Sequence, residues 1–541
     1  MSSKPAEIEI PESDIWGTLF KRSQKPFPDD QVIYQCPITN RNYIWSALRT
    51  ATEQFGSGLQ TRWAWKKGDV LALFASNCID TPAVTWGCHY AGGIVSPANP
   101  AYNIRELTHH LKDSGAKAIV TKAEFLPVAS RAAKDAGIPN ERVILIGDEV
   151  DDNGVFKHFT EIMDKSVTKK QVAVKADKDL AFLVYSSGTT GLPKGVMLTH
   201  RNVLANLFMV ASTEGRLLSW NQDNILSVLP YYHIYGLQFL VHMPAYSGVT
   251  SVVMPSFDLK LFCDIIQNHK ITYAYVAPPI ILHLAKSPVI SSYDISSLKT
   301  ITSGAAPLSK DLIRAVHARF GIEVKQAYGL SETSPATHLQ VKWDDGLGSV
   351  GKALPNQIIK FMSPEEEEVP KGKEGEIWVS GPNVFVGYLN NPTATKASIT
   401  PDGFFKTGDV GYEDANGNLF ITDRVKELIK YKGFQVAPAE LEGILASNKF
   451  VDDAAVIGIM DESLATEVPV AFLVPKQGVP RTDKNKKKVV EWLNGKVASH
   501  KKLRGGVRWI DEIPKSASGK ILRRVLKDVL IEEGKKPKAK L

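Results

Sequence analysis

Tyr185-Ser186-Ser187-Gly188-Thr189-Thr190-Gly191-Leu192-Pro193-Lys194-Gly195-Val196-Met197-Leu198-Thr199-His200 decides how this chain is read. Small side chains, hydroxyls and glycines lie between two apolar segments, and a single lysine closes the run. Glycine lets a backbone approach an anion closely. Successive N–H groups in such a loop form an anion-binding concavity, and Ser186, Ser187, Thr189 and Thr190 add hydroxyl donors. Lys194 adds a point charge. The stretch reads as a polyphosphate cradle rather than a mobile surface loop. It is not a Walker A loop, because no Gly-Lys-Ser/Thr end follows.

Outward from that loop, apolar runs alternate with helical patterns. Val70–Phe74, Lys117–Thr121 and Arg142–Ile146 read as buried strands, and Asn103–Ser114 reads as a charged helix. A second set follows at Ile225–Leu229, Thr250–Met254 and Leu298–Thr302. Such alternation predicts parallel βαβ units. From Glu374 to Ile421, glycine-punctuated runs predict antiparallel strands in a small barrel-like subdomain, with Glu365–Glu368 at an exposed hairpin tip. Strands at Ala454–Ile459 and Val468–Val474 and a helix near Asp483–Ala498 are expected beyond it. A last helix is expected from about Gly519, with Ile521, Leu522, Val525, Leu526, Val529 and Leu530 on one apolar face and Lys520 in its first turn. Gly346-Leu347-Gly348-Ser349-Val350-Gly351 matches a dinucleotide glycine pattern. It reads as a turn, because no strand precedes it and Pro355 follows.

A chain of 541 residues exceeds a single core. The net charge of +7 is modest and gathers in lysine runs of the C-terminal third. These read mostly as solvated helix faces and a frayed end. No basic–aromatic interleaving marks a nucleic-acid module. Cys36, Cys78, Cys88 and Cys263 are scattered, as expected of free thiols in a reducing compartment. No apolar run is long enough to span a bilayer. Ala539-Lys540-Leu541 resembles the small–basic–leucine peroxisomal address. Import through its receptor is expected, with the cytoplasm as the alternative.

The Tyr185–His200 string resembles the phosphate-loop signature of the adenylate-forming superfamily of acyl-CoA synthetases, luciferases and adenylation domains. Tyr328-Gly329-Leu330-Ser331-Glu332-Thr333, Thr407-Gly408-Asp409, Asp423 to Lys430, Lys432 to Gln435 and Pro514 to Lys520 resemble its later motifs, in order. KELIKYKGFQVAPAELE is most similar to coumarate–CoA ligases. The resemblance implies an α/β fold: a large N-terminal domain of stacked αβ subdomains with a β subdomain, residues 1–424, and a small mobile α+β domain, residues 425–541.

It also implies an ATP- and Mg²⁺-dependent carboxylate–CoA ligase. An aromatic or medium-chain acid would form an acyl-adenylate with release of pyrophosphate, and coenzyme A would then give the thioester and AMP. By the same resemblance Ser186 to Gly191 and Lys194 hold the phosphates, Glu332 holds Mg²⁺ and Ser331 bonds the α-phosphate. Gly304, Ala305, Ala306, Pro307, Gln326, Tyr328 and Gly329 surround adenine. Asp409 and Arg424 hold the ribose. His233, Tyr235, Phe239, Gly329, Pro335 and Ala336 line the acyl pocket. Lys520 serves adenylation and Lys426 the hinge. Lys430 and Gln435 support catalysis, and Lys432 and Gly433 border coenzyme A. Coumarate–CoA ligases usually carry small or polar residues after the HIYAL segment. Gln238-Phe239 departs from that. A luciferase-like oxygenase, a carrier-protein adenylating enzyme and a non-catalytic regulatory relative are the rival readings.

Overall fold

The computed structural model describes residues 7–186, 193–214, 218–424, 427–432, 434–461, 464, 466–516 and 519–535. The address at 539–541 and the hinge residue Lys426 lie outside them.

Leu180–Ser186 is a buried apolar strand that turns back as Lys194–Thr199, pairing Ser186 with Lys194. This hairpin joins an eight-stranded sheet whose centre is parallel: Val70–Phe74, Ile94–Ala98, Ala116–Thr121 and Val143–Leu145. Strands buried on both faces read as continuous apolar runs, and every residue of Val70–Phe74 is buried. Helices cover the sheet. Ile104–Ser114 starts at a reciprocal cap, in which Asn103 accepts from the Glu106 N–H and Glu106 accepts from the Asn103 N–H.

A nine-stranded sheet holds the second parallel set: Asn224–Ser227, Thr250–Val253, Tyr273–Val276, Thr300–Ser303 and Glu323–Gly329. Ala336–Leu339 then runs antiparallel at one side. The expected barrel-like subdomain is a four-stranded antiparallel sheet, in the order Ile358–Met362, Gly375–Ser380, Phe405–Glu413 and Leu419–Arg424. Its end strands do not pair with each other. One face packs on the nine-stranded sheet instead, through Ile377, Val379 and Leu419 against Tyr328 and Val350. Residues 346–351 form a turn.

Beyond residue 426, Ile429–Tyr431 pairs with Phe434–Val436, and Val451–Asp461, Thr466–Pro475 and Val507–Trp509 form a three-stranded sheet. No described sheet takes strands from both sides of residues 425–426. The last helix begins at Arg523, not at Gly519. Lys515 bridges to Ile521, the Lys520 N–H donates to Ser516 Oγ at 3.1 Å, and Gly519 adopts φ +81°, so the backbone turns instead of winding. Lys520 therefore stands in a loop. Leu526 is fully buried, whereas Leu522 and Val525 are exposed, so the apolar face is narrower than its periodicity implies.

The large domain also buries histidines. His242 packs between Trp86 and Phe182, and His200 lies 5.1 Å from His89. Burial drives His200 down to about 4 and His242 to about 3. A histidine kept neutral in the fold and free to ionise when unfolded lets the unfolded state bind more protons. Stability is therefore complete above about pH 6.5 and falls as pH drops toward those values, by about 1.4 kcal/mol per pH unit for each such histidine. Thermal unfolding at a series of pH values below 6.5 is expected to show this slope, and His242→Phe to flatten it. An unchanged slope in that variant would assign acid sensitivity elsewhere.

Candidate active site

The two parallel sheets, the four-stranded sheet and the C-terminal loop meet at a cleft of about 830 Å³. Ser186 and Lys194, the ends of the hairpin strands, line it; residues 187–192 lie outside the described ones. Tyr185 anchors the hairpin base through its hydroxyl to Asp113 at 2.6 Å. Lys194 Nζ sits 4.9 Å from the centre of the Tyr388 ring, and the Tyr388 hydroxyl donates to Glu332 Oε1 at 2.9 Å. Tyr388 thus ties a cation to a carboxylate. Burial pushes the Glu332 carboxyl above its usual range.

The strand Glu323–Gly329 delivers Tyr328 and Gly329 to the cleft, and the short turn Ser331–Thr333 delivers Ser331 and Glu332. The chain folds back on itself here. A Cβ on Gly329 would lie 2.0 Å from the Pro335 carbonyl oxygen, so no side chain fits. Tyr328 donates to Asp409 Oδ2 at 2.7 Å, and Arg424 Nε pairs with Asp409 Oδ1 at 2.7 Å. Asp409 and Arg424 are facing partners in one antiparallel ladder. Tyr328, Gly408 and Arg424 line the cleft, and Asp409, next to Gly408, is bonded to Tyr328 and Arg424. Gly304 and Ala305 also line it, while Ala306 and Pro307 do not. Gln326 does not line it either and serves the scaffold, its amide donating to the Ser349 carbonyl at 2.9 Å.

His233, Tyr235, Phe239, Pro335 and Ala336 form the apolar arm of the cleft. His233 Nδ1 accepts from the Tyr235 N–H at 3.3 Å, and Tyr235 donates to the Thr302 carbonyl at 3.0 Å. Phe239 stands edge-on to Tyr235 with ring centres 5.1 Å apart, and lies 4.8 Å from Tyr275. Burial, then the charge of Lys520, lowers His233 to about 4, so it is neutral at pH 7.

From the other side come Ser516, Lys520 and Leu522. Burial holds the Lys520 ammonium below its usual value, with the nearby Arg424 charge acting in the same direction. Glu427, Asp409 and Glu332 oppose that.

The AMP-binding enzyme family matches residues 20–389, and the AMP-binding enzyme C-terminal domain matches residues 440–520. The chain belongs to the AMP-binding enzyme family. Among curated relatives in that family, a probable 4-coumarate–CoA ligase 2 of Dictyostelium discoideum is 38% identical, covering 98% of this chain and 97% of the relative. The 4-coumarate–CoA ligase 1 of Petroselinum crispum is 37% identical, covering 92% and 91%. ATP-bound MatB from Rhodopseudomonas palustris is 27% identical with a TM-score of 0.84, covering 96% and 99%. Apo MatB superposes less well, with a TM-score of 0.73 at the same identity, covering 96% and 99%. This chain therefore superposes more closely on the ATP-bound structure than on the apo one.

The remaining expected site residues lie elsewhere. Lys430 is exposed on the hairpin, where its N–H donates to Glu467 at 2.8 Å, and Gln435 is its backbone partner. Lys432 is also exposed, and Gly433 lies outside the described residues. Tyr388 was not among the expected site residues. Its only local signal is Gly387-Tyr388 ahead of an Asn-Asn-Pro turn, and its partner Glu332 is 56 residues away.

Proposed function

We propose that this chain joins an aromatic or medium-chain carboxylic acid, uncharged away from its carboxylate, to coenzyme A. The chain is an AMP-forming, ATP-dependent acid–CoA ligase. The observation that carries the choice of acid is the arm of Tyr235, Phe239, Pro335 and Ala336 beside a neutral His233. Among the described residues no charged side chain belongs to that arm, so a second charge on the acid would be buried there without a partner.

In the first half-reaction a carboxylate oxygen attacks the α-phosphorus of ATP, and the bond to pyrophosphate breaks. Two anions approach each other, so positioning and charge stabilisation carry the step. Lys520 meets both anions. Ser186 and Lys194 hold the phosphates, and Ser331 donates to the α-phosphate. Tyr328 packs on adenine, and Asp409 with Arg424 takes the ribose hydroxyls. Glu332 suits a Mg²⁺ held jointly with the phosphates, since hard carboxylate oxygen matches that ion and one protein carboxylate is enough beside them. The ion would neutralise phosphate charge. In the second half-reaction the thiol of coenzyme A attacks the acyl carbon and AMP leaves. Lys430, Lys432, Gly433 and Gln435 belong to that step in this proposal, which requires the C-terminal domain to turn about Lys426.

A panel of carboxylic acids, assayed for AMP formation that depends on coenzyme A, tests the reading. Aromatic and medium-chain acids are expected to lead it, and a dicarboxylate preferred over them would refute the choice of acid. Phe239→Ala is expected to shift the ranking. Removing a fully buried ring that ends the arm lengthens it, so bulkier acids gain and the best acid loses about tenfold in kcat/KM. Each lost methylene-scale contact changes discrimination by roughly ten- to two-hundredfold at most. An unmoved ranking would place the end of the pocket elsewhere.

A further inference from the structure

We infer that the helix Pro278–Lys286 is the seat that holds Lys520 in the cleft, with Lys286 as the positioning residue at its outer end. The helix belongs to the nine-stranded half of the large domain, following directly on the strand Tyr273–Val276. Two separate parts of the C-terminal domain rest on it.

At its start, Ala277 and Pro279 abut Gly519, the residue before Lys520. A Cβ on Gly519 would lie 2.9 Å from Pro279 Cδ and 3.3 Å from Ala277 Cβ, so the lysine loop approaches closer than a side chain permits. At its end, Lys286 Nζ donates to both the Asp452 carbonyl oxygen and Asp452 Oδ1, each at 2.8 Å. Asp452 is the second residue of the long strand Val451–Asp461 of the C-terminal sheet. The neighbouring Asp453 takes Lys515 Nζ at 2.5 Å, which ties the base of the lysine loop to that strand. His283, between the two contacts, has Asp452 and Lys515 as its charged neighbours.

One contact would leave the C-terminal domain free to pivot. Two contacts on one rigid helix, separated by the rise from Pro279 to Lys286 of about 10 Å, fix its rotation as well as its distance. The contact at Gly519 is steric and short. The contact at Lys286 is a charge-assisted pair in which one ammonium grips a backbone oxygen and a carboxylate of the same residue. Both side chains are partly exposed, at 33% and 41%, so the pair biases an equilibrium and does not lock it. The ammonium of Lys520 depends on this seat for its place among Glu332, Asp409 and Arg424.

The seat deepens the proposed adenylation role of Lys520 and rests on it. Its test therefore carries one readout that needs no chemistry. Dyes are attached through unnatural amino acids at the exposed positions Ile38 and Met460, one on each domain. Lys286→Glu is expected to lower energy transfer between them and to slow pyrophosphate release about tenfold through kcat, with little change in KM for ATP. Thioester formation from a supplied acyl-adenylate is expected to continue at its original rate. The double variant Lys286→Glu with Asp452→Lys is expected to restore both the energy transfer and the release rate. Unchanged energy transfer in Lys286→Glu, or no recovery in the double variant, would overturn the seat. Energy transfer that falls and recovers while pyrophosphate release never changes would uphold the seat and refute the adenylation role of Lys520.

Discussion

Lys520→Ala is expected to slow acyl-adenylate formation by about a hundred- to a thousandfold, the scale of losing one preorganised electrostatic contact to a developing transition state. Lys520 reaches the cleft from a loop whose turn is set by Gly519, and it lies within the fields of Glu332, Asp409 and Arg424. No other described residue of the C-terminal domain that lines the cleft carries a positive charge; Ser516 and Leu522 are its companions. Lys194 already has a place over the Tyr388 ring and cannot cross to the acyl arm without leaving it. The loss should fall on kcat for pyrophosphate release, because ATP and acid keep their contacts in the large domain. Thioester formation from a supplied acyl-adenylate should fall much less, since phosphorus chemistry is complete by then. Single-turnover measurement of each half-reaction decides it. Equal loss in both halves would mean that Lys520 holds the fold or the nucleotide and does not serve the first step.

Much of the fold was legible, for a physical reason. Parallel strands buried on both faces carry unbroken apolar runs, and Val70–Phe74 and Val143–Leu145 stand where those runs lie, within a residue. The charged helix read over Asn103–Ser114 runs over Ile104–Ser114, and its cap is local, Asn103 and Glu106 lying three residues apart. The last helix misled because Ile521 to Leu530 do recur at helical spacing, yet periodicity cannot register that Gly519 turns left-handed and that Lys515 bridges to Ile521. Lys325 carries a similar lesson. A lysine inside a strand reads as facing water, but this one is 1% exposed and pairs at 2.8 Å with Glu214, itself fully buried and 111 residues distant.

The candidate site divides along the same line. Ser186, Lys194, Glu332 and Lys520 sit in contiguous strings whose composition announces anion chemistry, and the fold brings all of them to one cleft. Tyr388, the tie between Lys194 and Glu332, was invisible because it joins residues from three distant segments. Gln326 shows the converse. The resemblance implies a nucleotide contact for it, but its side-chain amide donates to the carbonyl of Ser349 and it does not line the cleft.

Asp409→Ala is expected to weaken ATP binding by about a hundredfold while costing the fold far less. Asp409 is nearly inaccessible, and its two oxygens are divided between Arg424 and Tyr328, both of which line the cleft. A carboxylate held so firmly is preorganised to accept from a pair of ribose hydroxyls. Hydrogen bonds to charged groups contribute roughly 1.5 to 3 kcal/mol each, so losing both, with some recovery by water, gives about two orders of magnitude in Kd. Breaking a fully buried ion pair costs roughly 3 to 5 kcal/mol. Arg424 is a third exposed, however, and water can reach its guanidinium once Asp409 is gone. The stability loss should therefore fall between that of an exposed pair, about 0 to 1 kcal/mol, and that of a buried one, at about 1 to 2 kcal/mol. Calorimetric titration with ATP in the absence of acid, alongside thermal unfolding, separates the two effects. A lowered melting temperature with unaltered ATP affinity would make Asp409 a structural partner of Arg424 alone. A hundredfold loss of affinity with a small shift in melting would assign it to the nucleotide.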